Sequence, residues 1–211
     1  MISLTIVATI IGFIIAIVVH ESAHAYVADQ LGDPTAKHEG RISLNPINHI
    51  DLIGSIIVPG FLILSSRLTG IPFVFGWAKP VPINPHNFRN PKRDQLLVAL
   101  AGPISNFIVA SIFAIGYRLA GNNAGLEVLF SAIITVNLWL MMFNLIPIPP
   151  LDGSAILPYV FKNNAALLYS IERQGYMYLL GLLIIDSLTN GMILGVLMRL
   201  PVQFFLRIFI G

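Results

Sequence analysis

The chain has 211 residues, no cysteine, a net charge of +2 and only 10% charged residues, well below the roughly 25% of a typical soluble domain. With a mean hydropathy of +0.82, it has more apolar surface than a water-soluble fold of this length can bury, so lipid must solvate most of it. These values exclude a disulfide framework, a thiolate metal site and a nucleic-acid-binding surface, and they leave room for one membrane domain over 1–211 and no second soluble unit.

In chain order, Ser3 to about Leu31 reads as a first membrane helix, stopped by Gly32-Asp33-Pro34. Its first nineteen residues lack the basic start and small-residue cleavage site of a secretory signal, so they are expected to be retained. Residues 33–51 are polar and turn-rich, with Arg41-Ile42-Ser43-Leu44 a candidate short strand. Leu52 to Leu64 is too short to span and holds Pro59-Gly60 at its centre, which suits a re-entrant or interfacial segment. Residues 65–95 form a connection rich in Pro and basic residues, whose alternating apolar stretches suggest a small β-hairpin at the membrane surface.

Leu96–Leu119 and Leu126–Ile146 read as spanning helices, the second passing into Pro147-Ile148-Pro149-Pro150-Leu151-Asp152-Gly153. Tyr176–Leu188 and Met192–Ile210, split by Thr189-Asn190-Gly191, read as a C-terminal helical hairpin within about 156–211. The expected fold is therefore an all-α polytopic membrane protein with about five spanning helices and a re-entrant segment. If Leu52–Leu64 does not cross, Asp152 finishes on the same side as His20 and His24. Lys37, Arg41, Arg67, Lys79, Arg89, Lys92 and Arg93 then share that side, with Arg118 opposite, which makes it cytoplasmic by the positive-inside rule.

The chemistry concentrates in His20-Glu21-Ser22-Ala23-His24, at the end of the uncharged run Met1–Val19. On a helix, two histidines four apart share a face and can close on one ion. Glu21 can then reach a water on that ion without ligating it. Ionisable groups at this depth are costly and mark function, and no Lys or Arg lies nearby to neutralise them. Without cysteine, a third ligand must be His, Asp or Glu. Asp152 is the best placed, although Asp-Gly is also a common turn pair. Asp29, Asp33 and Asp51 read as helix-end and loop acids. His38, His49 and His86 read as solvated loop histidines, with an accessory site or a substrate contact as the alternative. Asn137 and Asn144 suit either interhelical hydrogen bonding or an oxyanion contact. Gly102-Pro103 and Asn106 suit close helix packing.

These residues resemble the site-2 protease family of intramembrane zinc metalloproteases, in particular its compact bacterial and archaeal members without a PDZ or CBS domain. The resemblance runs through His20-Glu21-Ser22-Ala23-His24-Ala25, Gly32-Asp33-Pro34-Thr35-Ala36, Gly40-Arg41-Ile42-Ser43-Leu44-Asn45-Pro46 and His49-Ile50-Asp51. It continues through Gly76-Trp77-Ala78-Lys79-Pro80-Val81, Ala101-Gly102-Pro103 with Asn106, and Phe143-Asn144-Leu145-Ile146-Pro147 to Leu151-Asp152-Gly153. Ser154 departs from the second glycine common after Asp-Gly in the family.

The resemblance implies a three-helix catalytic core within about 1–155 and one Zn²⁺ per chain held by His20, His24 and Asp152. It further implies Glu21 as general base and Asn144 as the residue that steadies the substrate or the tetrahedral intermediate. The expected activity is hydrolysis of peptide bonds in or near transmembrane helices of membrane-protein substrates. The protein would be multi-pass in the cell membrane, with its active site towards the cytoplasm. A metal-binding or transport protein, or an inactive protease-like scaffold, is the alternative reading.

Overall fold

A computed structural model describes residues 4–58, 61, 76–121 and 123–211. Among these residues the chain is helical and has no strand. Its long helices are α1 (Leu4–Gln30), α2 (Pro91–Leu119), α3 (Ala124–Asn144), α4 (Ala165–Leu188) and α5 (Met192–Phe209). Short helical turns at Thr35–His38, Pro46–His49, Leu52–Ile57, Pro85–Asn87, Asp152–Ile156 and Leu157–Val160 occupy the connections.

Local chemistry sets the helix starts. Pro91 stands in the first turn of α2, where a missing N–H leaves no helical bond unmade, and the Asp94 carboxylate accepts the N–H of Asn90 at 2.9 Å. The Asn123 side chain caps α3 by accepting the N–H groups of Gly125 and Leu126, each at 3.1 Å. Asn164 caps α4 in the same way through Leu167.

Helices α1, α2 and α3 pack on one another to form the core. In α1 the residues Ala8, Gly12, Ala16, His20, His24 and Ala28 recur every fourth position and are buried. Lipid offers no hydrophobic gain for pairing apolar faces, so close approach of small residues holds such helices together. Helix α2 meets this row with Val98, Gly102, Asn106, Ala110 and Ala114, and α3 with Ile133, Asn137 and Met141. The outward faces carry exposed Ile6, Ile10, Phe13, Ile104, Ile108 and Ile112, as a lipid-solvated bundle requires.

Helices α1, α2, α3 and α5 are each long and apolar enough to cross a membrane. That is four among the described residues, where the sequence pattern suggests about five. In α4 the apolar stretch between Arg173 and Asp186 falls short of the ~20 residues a crossing needs. Leu179 of α4 clusters with Ile146, Leu151, Leu194 and Met198, while Val202 of α5 packs with Ala110, Ile134 and Leu138. At the other end of α5, the Arg118 guanidinium donates to the carbonyl of Ile208 at 2.6 Å. Helix α5 therefore begins at the end of the bundle where α3 finishes and terminates where α2 finishes.

The end at which α1 and α3 finish and α2 begins, called here the loop end, carries a connected polar layer. Fully buried Asp33 accepts from the Thr35 N–H (3.1 Å) and hydroxyl (2.5 Å), the Asn84 N–H (2.7 Å) and the Asn87 amide (2.8 Å). It is thus a hub joining two loops rather than a simple helix-stop residue. Arg41–Leu44 forms no strand; the carbonyl of Ser43 instead accepts from the Ser22 hydroxyl on α1 (2.5 Å) and from His49 Nε2 (2.7 Å). His49 is accordingly buried, not a solvated loop histidine, whereas His38 and His86 are exposed. The backbone of Trp77 bonds to Gly54 (3.0 Å) and that of Lys79 to His49 (2.9 Å), which ties 76–79 to 49–54. Residues 59, 60 and 62–75, with much of the expected re-entrant segment and hairpin, lie outside the described residues; 76–90 forms no strand.

Candidate metal centre

The fourfold row on α1 places His20 and His24 on one buried face, 5% and 7% exposed. Asp152 arrives from elsewhere in the sequence. Helix α3 finishes at Asn144, and the proline-rich bend after it returns the chain so that Asp152 opens a short 3-10 turn. Gly153 follows because there is no room for more: a Cβ there would overlap the carbonyls of Leu145 and Ile146.

The three side chains converge. His20 Nε2 lies 3.1 Å from Asp152 Oδ2, and His24 Nε2 lies 3.4 Å from Asp152 Oδ1. One ligand atom from each residue falls within 4.8 Å of the others, a cluster that could hold a metal ion. The far nitrogen of each ring is pinned. His24 Nδ1–H donates to the Val98 carbonyl at 2.7 Å, and His20 Nδ1 contacts Asn106 Oδ1 at the same distance. Each ring thereby turns Nε2, with its lone pair, towards the centre.

A divalent cation fits this donor set. Buried Asp152 Oδ2 faces His20 Nε2 at 3.1 Å; with that nitrogen unprotonated the oxygen has no donor, a cost that ligation would remove. Two imidazoles and one carboxylate are the ligand types of a catalytic zinc site with an open fourth position. Helix α2 closes on the imidazoles so tightly that a Cβ at Gly102 would lie 2.5 Å from both His20 Cε1 and His24 Nε2.

Glu21 is half-buried and makes no side-chain hydrogen bond or ion pair among the described residues, so its carboxylate is not tied into the scaffold. Asn144, also half-buried, donates to the Leu140 carbonyl at 3.1 Å and makes no hydrogen bond to His20, His24 or Asp152. Asn137 is fully buried and bonds to Asn106 and to the Ile133 carbonyl, which matches the interhelical reading and leaves no oxyanion role. Asn106 is more than a packing residue, because it hydrogen-bonds the His20 ring of the candidate cluster. Its fourfold spacing from Gly102 and Val98 was visible in the sequence, but its partner was not.

A lipid-solvated helical bundle with a buried two-histidine, one-carboxylate cluster defines a membrane protein built around a candidate metal site of hydrolase type. Residues 119–187 match the model of peptidase family M50. The chain is 39% identical over 185 residues to the Bacillus subtilis protein named "Putative zinc metalloprotease YwhC", covering 83% of this chain and 79% of that one. It is 28% identical over 185 residues to Rip2 of Mycolicibacterium smegmatis, which carries the same description, covering 86% and 68%. It is 26% identical over 158 residues to "Zinc metalloprotease MJ0392" of Methanocaldococcus jannaschii, covering 75% of this chain and 35% of that one. No solved structure matches. The chain belongs to peptidase family M50, the site-2 protease family.

Proposed function

We propose that this protein is an intramembrane zinc metalloprotease that hydrolyses peptide bonds in or near transmembrane segments of other membrane proteins. The observation that carries this reading is the convergence of His20 Nε2, His24 Nε2 and the Asp152 carboxylate at one point. These residues would hold one zinc ion per chain. When bound, zinc supplies Lewis-acid chemistry, polarising a carbonyl and making a water acidic near neutral pH.

The chain's own residues perform the proton transfers. Glu21, one position beyond His20 and outside the scaffold's hydrogen bonds, takes a proton from the attacking water as the new C–O bond forms. It then delivers that proton to the amide nitrogen as the C–N bond breaks. Asn144 keeps one amide N–H beside its bond to Leu140, and this N–H can donate to the substrate's carbonyl oxygen. A substrate helix has to unwind locally, because its carbonyls are otherwise engaged along the helix.

The orientation proposed is towards the cytoplasm. Lys37, Arg41, Lys79, Arg89, Lys92 and Arg93 sit in or beside the loop-end layer, and Arg118 and Arg207 at the other end, where α2 and α5 finish; Arg67 lies outside the described residues. The test is Glu21→Gln. The variant is expected to keep the wild-type zinc content while its cleavage of a membrane-helix substrate falls by about 10²-fold or more. Cleavage at the wild-type rate by a zinc-loaded Glu21→Gln protein would sink the mechanism.

A further inference from the structure

His20 and His24 solve the same problem by different means. Each must keep Nε2 unprotonated towards the centre, which requires its Nδ1–H to meet an acceptor. His24 uses a backbone carbonyl, that of Val98, whose polarity cannot be reversed. His20 lies deeper along α1 and uses a side-chain amide, Asn106 Oδ1, at 2.7 Å. An amide can turn over and present N–H instead, which would leave the ring in the wrong tautomer. Something must therefore hold Asn106 one way round.

The hydrogen bonds around Asn106 supply that constraint. The Ile133 carbonyl can only accept, so Asn137 must turn its N–H₂ to it, at 2.8 Å. Asn137 Oδ1 is then left facing Asn106, whose N–H₂ donates to it at 2.9 Å and to the Ala16 carbonyl at 3.0 Å. With both N–H groups committed, Asn106 has only its oxygen for His20. Turning either amide over would set oxygen against oxygen among groups that are 0% exposed, and buried unpaired groups of this kind are costly.

We infer that Asn106 is a positioning residue for the metal site: a one-way chain running Ile133 carbonyl, Asn137, Asn106, His20 selects the tautomer that presents His20 Nε2 as a ligand. All three core helices take part, so the ligand's chemistry is set by their correct assembly. This rests on the reading of His20 as a metal ligand. The competing explanation is that the two asparagines only hold helices together, and the two differ in what a conservative exchange does.

The test uses the full-length protein in detergent micelles. It measures zinc affinity by competition with a chelator and, separately, the melting temperature of the metal-free form. Asn106→Leu removes the acceptor, and its zinc affinity is expected to fall about 10–100-fold. Asn106→Asp keeps an acceptor for His20 but loses both N–H donors. It is expected to melt at a lower temperature than wild type while retaining zinc affinity within about threefold, where a positioned carboxylate commonly serves a metal-bound histidine. Asn137→Leu, which frees Asn106 without removing it, is expected to fall between wild type and Asn106→Leu, and it serves if the latter does not fold. Wild-type affinity in both leucine variants would overturn the inference, as would affinity in the Asp variant that falls in step with its melting temperature. If wild type binds no zinc, or His20→Ala binds it as wild type does, the metal reading itself fails and takes the inference with it.

Discussion

At the scale of single residues, the centre depends as much on what is missing as on what is present. Gly102 lets α2 come within contact distance of two imidazoles that hydrogen bonds hold in place. Neither ring can swing away without losing its acceptor. Gly102→Ala is therefore expected to lower zinc affinity at least tenfold. It should also lower thermal stability by about 1–3 kcal/mol through overpacking, measured by chelator competition and by melting in detergent. A variant with unchanged affinity would show that the rings have more freedom than this geometry allows. Sequence spacing marked His20, Glu21 and His24 as candidate site residues because each is an ionisable group in apolar surroundings, and the family resemblance singled out Asp152 over the turn reading that Asp-Gly also allows. It undervalued Asn106 and His49, because an amide or imidazole acquires its role from a partner 86 or 6 residues away.

At the scale of elements, α1 does two jobs with one periodicity. Small residues at every fourth position bring it against α2 and α3, and the same row continues into His20 and His24. The polar layer at the loop end is organised differently, around a buried carboxylate. Burial pushes the Asp33 carboxyl up, but hydrogen bonds from Thr35, Asn87 and Asn84 outweigh it and hold the group below the usual carboxylate range. A carboxyl whose folded pKa is depressed contributes stability that is present above the unfolded value of about 4 and is lost as pH falls through the lower folded value. Asp33→Asn places an N–H₂ among donors. It is expected to destabilise the protein at pH 7 by about 1–3 kcal/mol and to flatten the acid side of the stability–pH curve. Melting temperatures of both proteins between pH 7 and pH 3 check this, and parallel curves would show that Asp33 does not carry the dependence.

At the scale of the whole molecule, the direction of each helix decides which loops share a compartment. With α1, α2, α3 and α5 as the spanning helices, the loop end faces one compartment and the α2–α3 turn the other. The absence of native cysteine makes this directly measurable. In intact cells, a membrane-impermeant maleimide should label Ala124→Cys from outside and leave Glu39→Cys untouched until the membrane is opened. Both positions are exposed. Labelling of Glu39→Cys from outside would reverse the proposed orientation and place the site on the other face.

The sequence by itself determined the solvent, the helical class and the candidate site residues. Low charge and long apolar runs leave no alternative to lipid, and ionisable groups placed within or beside such runs are conspicuous. Where an apolar run was long and unbroken, as in α1, α2 and α3, the helix was legible to within a few residues. Tertiary structure alone decided the rest. The path of α4 and α5 depends on which faces they find, Leu179 on Ile146 and Val202 on Ala110, and periodicity does not encode partners. The burial of Asp33, Arg41 and His49 likewise depends on loops folding over one another. Most of all, the tautomer of His20 follows from a carbonyl on a third helix, because a hydrogen bond takes its direction from the partner that cannot turn round.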